Sequence, residues 1–344
     1  MKKHLFITIG IFCLVLFGFI LTSGTCYAQS ATKPIEWKCP TTFPATNQLV
    51  SVIWQGIVDD IYKRTNGRLK ITIYPGGELG YPAKEMLRFL RDGVIPIAEV
   101  GWPYAVGDFP LGKMCANLFI AKDFQDWYKV LHPIWLDAVK EPLEKNWNAI
   151  VLIHVPFSYI HLWTNDKPIK SLGDFKGKKI RIWEAEMGQL FEELGATTTY
   201  MGWGDVYTGM QRRVIDGFPT GYPTIKDAKL NEVSKYCTEC AMIIPDNSLV
   251  INKKAFAALP ADIRDIVIKV GQEWQQKCID IQQKNNDDAK AWCIKNGVTV
   301  VKMPDAVRND LEKVAKKTWE GWAKKAGPRG QEALLKLEKA RKAK

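Results

Sequence analysis

From about Pro260 to Asn296 the sequence reads as one helix, roughly 50 Å long if unbroken at about 1.5 Å per residue. A single lobe of a chain this size is shorter than that. The helix therefore has to lie across two lobes, and every other element must be arranged around that span. The remainder alternates short β-rich runs with amphipathic helices, the pattern of an α/β protein.

Ile35 to Cys39 reads as the first strand, followed by a loop from Pro40 to Pro44. A helix from about Asn47 to Arg64 carries Leu49, Val50, Ile53, Ile57, Val58 and Ile61 on one face, and Asn66-Gly67 ends it. Leu69 to Tyr74 alternates as a strand. A helix from about Pro82 to Asp92 then leads to a strand from Ile97 to Val100. This opening predicts one doubly wound lobe, in which ligands meet the loops at the carboxyl ends of strands. Ala149 to Ile153 and Ile160 to Thr164, joined through Pro156, carry the chain toward a second lobe. Further strands are predicted at Lys179 to Trp183, Thr197 to Met201, Cys237 to Ile244 and Ser248 to Asn252. Helices fall at Gln189 to Leu194 and at Asp205 to Arg212, the latter capped by Gly204-Asp205. No internal repeat occurs, and the Lys/Ala-rich C terminus is the one low-complexity stretch.

The N terminus predicts export. Lys2 and Lys3 precede an uncharged run from Leu5 to Leu21, and Cys26-Tyr27-Ala28 offers small residues at −3 and −1 for cleavage after Ala28. A membrane helix is the alternative, but the small, polar residues after Leu21 favour a cleaved signal. Thr25 before Cys26, with no Leu three residues back, argues against a lipid anchor. Removing the first 28 of 344 residues leaves about 316, and losing Lys2 and Lys3 takes the formal charge from +11 to +9. Lys and Arg are scattered apart from a cluster at Lys336 to Lys344. General attraction for anions or an acidic membrane surface is thus expected, not nucleic acid.

Six cysteines follow the signal: Cys39, Cys115, Cys237, Cys240, Cys278 and Cys293. Cys237 and Cys240 form the only CxxC and lack a nearby histidine, which argues against zinc there. Cys278 and Cys293 are too far apart along one helix to bridge each other. A structural role, buried or paired, is the expectation for all six. No GxSxG, GxxxxGK[ST], HExxH or EF-hand loop occurs, and only His132, His154 and His161 follow the signal. Enzyme is a weak reading, and no catalytic residue, cofactor or metal is expected.

Several segments in order carry a resemblance. Gly76-Gly77-Glu78-Leu79-Gly80 is followed by Glu85 and by Leu90-Arg91-Asp92-Gly93-Val94. Ser171 to Arg181 reads SLGDFKGKKIR, and Leu194-Gly195-Ala196, Asp205-Val206-Tyr207 and Val214-Ile215-Asp216-Gly217 follow. In this order and spacing the chain resembles the DctP-type solute-binding proteins of TRAP (tripartite ATP-independent periplasmic) transporters, over about residues 35 to 330. Asp174 to Gly217 is the specific part. The resemblance implies an α/β, two-lobed periplasmic-binding-protein-like fold, type II-like, with hinge strands and the long helix spanning both lobes. The expected division is a signal peptide at 1–28, lobe I at 29–156 plus about 246–285, and lobe II at 157–245 plus about 286–330. A basic C-terminal tail at 331–344 completes it.

The resemblance further implies a periplasmic receptor that traps a small organic acid between closing lobes. It would deliver that acid to a permease of one small and one large membrane subunit. A monomer is expected. Arg181 occupies the position whose guanidinium grips the ligand carboxylate in the family, and its planar fork matches that group. Trp203 matches a ligand-covering aromatic position. Thr220 stands where relatives often carry an amide, and His161 where many place a basic residue near the ligand. Both departures leave a bland role, a turn cap or a satisfied core histidine, equally open. Trp183 replaces a usual proline. With Trp102, Phe157, Tyr159 and Tyr222, it would wall the pocket for an aromatic or hydrophobic carboxylate. The competing reading puts two or three of these rings in the core. Thr42 and Phe43 would contribute from the other lobe. The alternatives are a binding protein serving a sensor kinase or an ABC importer, and, less favoured, a secreted enzyme.

Overall fold

The computed structural model describes residues 33–342, so the expected signal peptide lies outside the described residues. Among those residues no helix is long and apolar enough to cross a membrane. In chain order the strands are β1 (Ile35–Pro40), β2 (Leu69–Tyr74), β3 (Ile97–Gly101), β4 (Ala149–Pro156), β5 (Ile160–Thr164) and β6 (Lys179–Ile182). They continue with β7 (Thr197–Tyr200), β8 (Gly217–Thr220), β9 (Tyr236–Ile243), β10 (Asp246–Asn252) and β11 (Thr299–Lys302).

The fold is two-lobed α/β. In the first lobe β1 pairs with β2 in parallel, and β10 runs antiparallel between β3 and β4. The expected doubly wound opening is thereby modified. β3 lies against β1 but takes its ladder from β10, a strand almost 150 residues later in sequence. That later strand returns from the second lobe, which no local pattern announces. Ala98, Val100 and Val250 face one apolar cluster, while Ile97, Leu249 and Ile251 face another. Both faces of this sheet are covered, which is why its strands read as continuous hydrophobic runs.

The second lobe holds a six-stranded sheet in the order β11-β9-β5-β8-β6-β7. Leu162, Ile180 and Ile182 point to one cluster, and Trp163 and Phe218 to the other. β4 runs on into β5, and β9 into β10, so two strand crossings join the lobes. Phe157 N–H donates to Pro245 C=O across them at 2.7 Å. The long helix, Ala261–Lys295, is continuous. Ile263, Val267, Val270, Trp274 and Cys278 pack it on the first lobe, and Ala289 and Cys293 pack it on the second.

Some local expectations need correction. The helix expected from Asn47 opens as a π-helical segment, Leu49–Trp54, before the α-helix Gln55–Arg64. Asp205 precedes the helix Val206–Gln211 without a side-chain capping bond. The basic tail is a helix, Gly327–Lys342, whose Leu334 and Leu337 are buried in the first-lobe core. Arg341, near its end, donates to the Ile120 carbonyl and pairs with Glu312 at 3.2 Å. A second bridging helix, Asp305–Lys325, packs Leu311 and Ala315 on the second lobe. Its Trp319 and Trp322 donate to the Leu118 and Pro110 carbonyls, both at 2.7 Å. All six cysteines are buried and unpaired. Cys237 and Cys240 project into different clusters on opposite faces of the sheet, which keeps their sulfurs apart.

Candidate functional site

Ile180 and Ile182 bury one face of β6, so the alternation of a strand sends Arg181 to the other. Arg181 is only 6% exposed. Its Nε donates to the Met201 carbonyl at 3.0 Å, and its guanidinium carbon lies 5.0 Å from the Trp183 ring and 5.8 Å from the Trp203 ring. Among the described residues no carboxylate pairs with it, and burial lowers its pKa from the ordinary value. The guanidinium thus lies near two indole rings, and its terminal nitrogens make no hydrogen bond among the described residues.

Trp203 opens a single 3₁₀ turn and is 39% exposed, with its ring edge-on to Phe218 at 6.5 Å. β8 lies beside β6, with Gly217 opposite Ile180, so Arg181, Phe218 and Thr220 share a face. Only a glycine fits at 217, because a Cβ there would sit 2.6 Å from the Trp163 carbonyl oxygen. Thr220 is buried, pairs with His161 across the β5–β8 ladder, and accepts Trp163 Nε1–H through its carbonyl at 2.9 Å.

The other expected residues divide among different surroundings. His161 Nδ1 accepts the N–H groups of Cys240 and Ala241, both at 3.2 Å, which places the neutral ring's proton on Nε2. Burial lowers its pKa to about 4. A bulge in β9 delivers those two donors, with Ala241 held at φ +44°. His161, Tyr159 and Tyr222 line a cavity of about 340 Å³ with Glu239, Asn286 and Lys290, and Arg181 is not part of that lining. Tyr222 donates to Glu239 at 3.0 Å and is itself buried. Trp102 is wholly enclosed in the first-lobe core, against Trp135 and Phe109, and donates to Ser248 at 2.9 Å. It presents no surface to a ligand, so the core reading holds for this ring. Phe43 and Phe157 stack on each other at 4.8 Å with an interplanar angle of 5°, joining the first loop to the crossing segment. Thr42 N–H donates to Glu99 Oε2 at 3.0 Å.

Two features escaped the sequence reading. Glu99 is completely buried, and burial raises its pKa to about 7. Its Oε1 and the Thr42 Oγ1 are both enclosed without partners among the described residues. An acid inside the apolar run Ile97 to Val100 was the available signal. Lys113, also buried, reaches Glu184 at 3.1 Å and Glu186 at 3.3 Å, immediately after Trp183. Nothing in local spacing links position 113 to position 184.

A two-lobed α/β frame with hinge strands, and a buried arginine facing out of one sheet, is in keeping with the class of solute-binding proteins. The family model described as bacterial extracellular solute-binding protein, family 7 (DctP), matches residues 53–325, and the chain belongs to this family of TRAP solute-binding proteins. A solute-binding protein of Albidiferax ferrireducens is 27% identical over 306 residues, 87% of this chain and 89% of that one. The C4-dicarboxylate-binding periplasmic protein DctP of Rhodobacter capsulatus is 28% identical over 239 residues, 66% of this chain and 68% of that one. The crystal structure of DctP6 of Bordetella pertussis, an extracytoplasmic solute receptor binding pyroglutamic acid, aligns with a TM-score of 0.77 at 25% identity. That alignment covers 89% of this chain and all of that one.

Proposed function

We propose that this chain is a periplasmic receptor that captures a small carboxylate in the cleft between its lobes and delivers it to a TRAP permease of one small and one large membrane subunit. The observation that carries this reading is Arg181, a buried guanidinium near the Trp183 and Trp203 rings with no acidic partner among the described residues. Leaving such a charge unpaired is costly, and a ligand carboxylate arriving in its plane removes that cost with two parallel hydrogen bonds. Trp203, half exposed, covers the bound acid, and the Thr220 hydroxyl offers it a hydrogen bond. The named ligands of two relatives, a C4-dicarboxylate and pyroglutamic acid, share this carboxylate. Two indoles at the anion's seat favour a planar or hydrophobic acid over a sugar acid.

Lobe I takes residues to about 156 and from about 246 to 285, with the C-terminal helix Gly327–Lys342 packed on its core, and lobe II takes about 157–245 and the first part of the segment after 285. The long helix holds the two in register while the strand crossings flex. Ligand favours the closed form because only that form touches it from both sides. The test is titration calorimetry of wild type and Arg181→Ala with pyroglutamate, succinate and an aromatic acid such as benzoate. For any acid that binds, Arg181→Ala weakens binding at least about 100-fold, or about 3 kcal/mol. Equal affinity in the variant refutes the reading.

A further inference from the structure

The hinge, away from Arg181, holds a separate cluster of buried polar side chains. In the β4–β10 ladder Asp246 stands opposite Pro156 and Ser248 opposite His154, so Asp246 and His154 share a face where the chain is about to cross between lobes. His154 Nε2 lies 2.8 Å from Asp246 Oδ2, and both side chains are 0% exposed. Cys115, from the 3₁₀ segment Pro110–Ala116, is also fully buried and brings its Sγ to the same point. One sulfur, one imidazole nitrogen and one carboxylate oxygen lie within 4.8 Å of one another. Asp246 Oδ1 is enclosed and has no hydrogen-bond partner among the described residues.

The other side of the imidazole is equally informative. His154 Nδ1 is 3.0 Å from His132 Nδ1, so a hydrogen joins the two rings. With that hydrogen on His132, His154 Nε2–H donates to the Asp246 carboxylate; with it on His154, Nε2 turns a lone pair toward that carboxylate. Two acceptors 2.8 Å apart then need a cation between them, either a proton or a metal. An outer partner that fixes the tautomer of a ligating histidine is a regular part of metal sites. Gln275 of the long helix holds the His154 backbone at both its N–H and its C=O, and Trp135 stacks on the ring at 3.7 Å. A cavity of about 380 Å³ is lined in part by His132 and His154.

We propose that Cys115, His154 and Asp246 form a buried binding site for a zinc-type divalent cation in the hinge, with His132 as its outer partner. Thiolate, imidazole and carboxylate together suit zinc; magnesium and calcium take oxygen donors alone. The ion replaces the proton shared by His154 and Asp246, the Cys115 thiol gives up its own proton, and Asp246 Oδ1 supplies a fourth donor. Such an ion would tie β4, β10 and the segment Pro110–Ala116 together where the lobes meet. Cys115, His154 and Asp246 are far apart in sequence, so spacing motifs could not find them.

Metal content and the metal's neighbours decide the matter. The full chain is dialysed against zinc and then metal-free buffer, and its zinc is measured by plasma mass spectrometry and X-ray absorption. One zinc per chain with sulfur, imidazole nitrogen and oxygen in its first shell is expected. Cys115→Ser and Asp246→Asn should each weaken zinc binding at least 100-fold against a competing chelator. Zinc below a tenth of an equivalent overturns the proposal and leaves a proton in the site. So does a first shell without sulfur, a readout that needs no variant to fold. Unchanged affinity in a folded Cys115→Ser variant also overturns it.

Discussion

Replacing Glu99 with glutamine should change how stability depends on pH more than how large it is at any one pH. Glu99 is wholly buried in the first lobe, and burial raises its pKa from 4.5 to about 7. The folded state therefore keeps a proton there that the unfolded chain has already released. Stability from this group is fully present below about pH 4.5 and declines as pH rises, levelling off above about pH 7. A displacement of that size corresponds to about 3 kcal/mol, at roughly 1.4 kcal/mol per pH unit. Glutamine keeps an oxygen for the Thr42 N–H but cannot ionise, so it removes the slope. The assay is urea unfolding of wild type and Glu99→Gln at half-unit steps from pH 4.5 to 8. Relative to the variant, wild type should lose about 3 kcal/mol between pH 4.5 and 7.5, with other titrating groups cancelling in the difference. A difference that stays flat to within about 1 kcal/mol across that range would show that Glu99 is ionised in the fold, and the argument from burial would fail.

Three further outcomes follow from packing. Gly271→Ala places a Cβ 2.6 Å from the Leu152 carbonyl oxygen where the long helix crosses β4. Overpacking of about 1–3 kcal/mol there outweighs alanine's helix gain of about 1 kcal/mol, because a backbone oxygen cannot rotate aside. A lower urea midpoint is expected, and an unchanged or higher one contradicts this. Arg341→Ala removes the side-chain donor to the Ile120 carbonyl and leaves Glu312 paired with Arg308 alone. It should lower stability by about 1.5–3 kcal/mol, measured by thermal unfolding, whereas a free tail would give no change. The six buried thiols from Cys39 to Cys293 should resist Ellman's reagent in the native protein and react once it is unfolded. Fast native labelling of any of them would contradict its burial.

Much of the frame was legible because its signals are local. The long helix appears where expected, as Ala261–Lys295, since a 35-residue periodic run admits little else. Strands such as Ile35–Pro40 and Leu69–Tyr74 matched their alternation, and Asn66 and Gly67 end the first helix with positive φ as their residue types predict. The Arg181 motif was readable for the same reason. Its neighbours Ile180 and Ile182 fix which way the arginine turns.

What the sequence by itself determined is the alternation of elements, the span of the long helix, and the face of its strand on which Arg181 stands. What only the tertiary structure decided is company. Trp102 and Trp183 look alike in sequence, yet one is sealed among Trp135 and Phe109 while the other lies beside the Arg181 guanidinium. β3 found its partner in β10, Lys113 found Glu184, and Cys115 met His154 and Asp246. Each of these pairings joins segments dozens of residues apart. Side-chain periodicity records only which way a residue faces, and what it faces is set when the chain returns through the hinge.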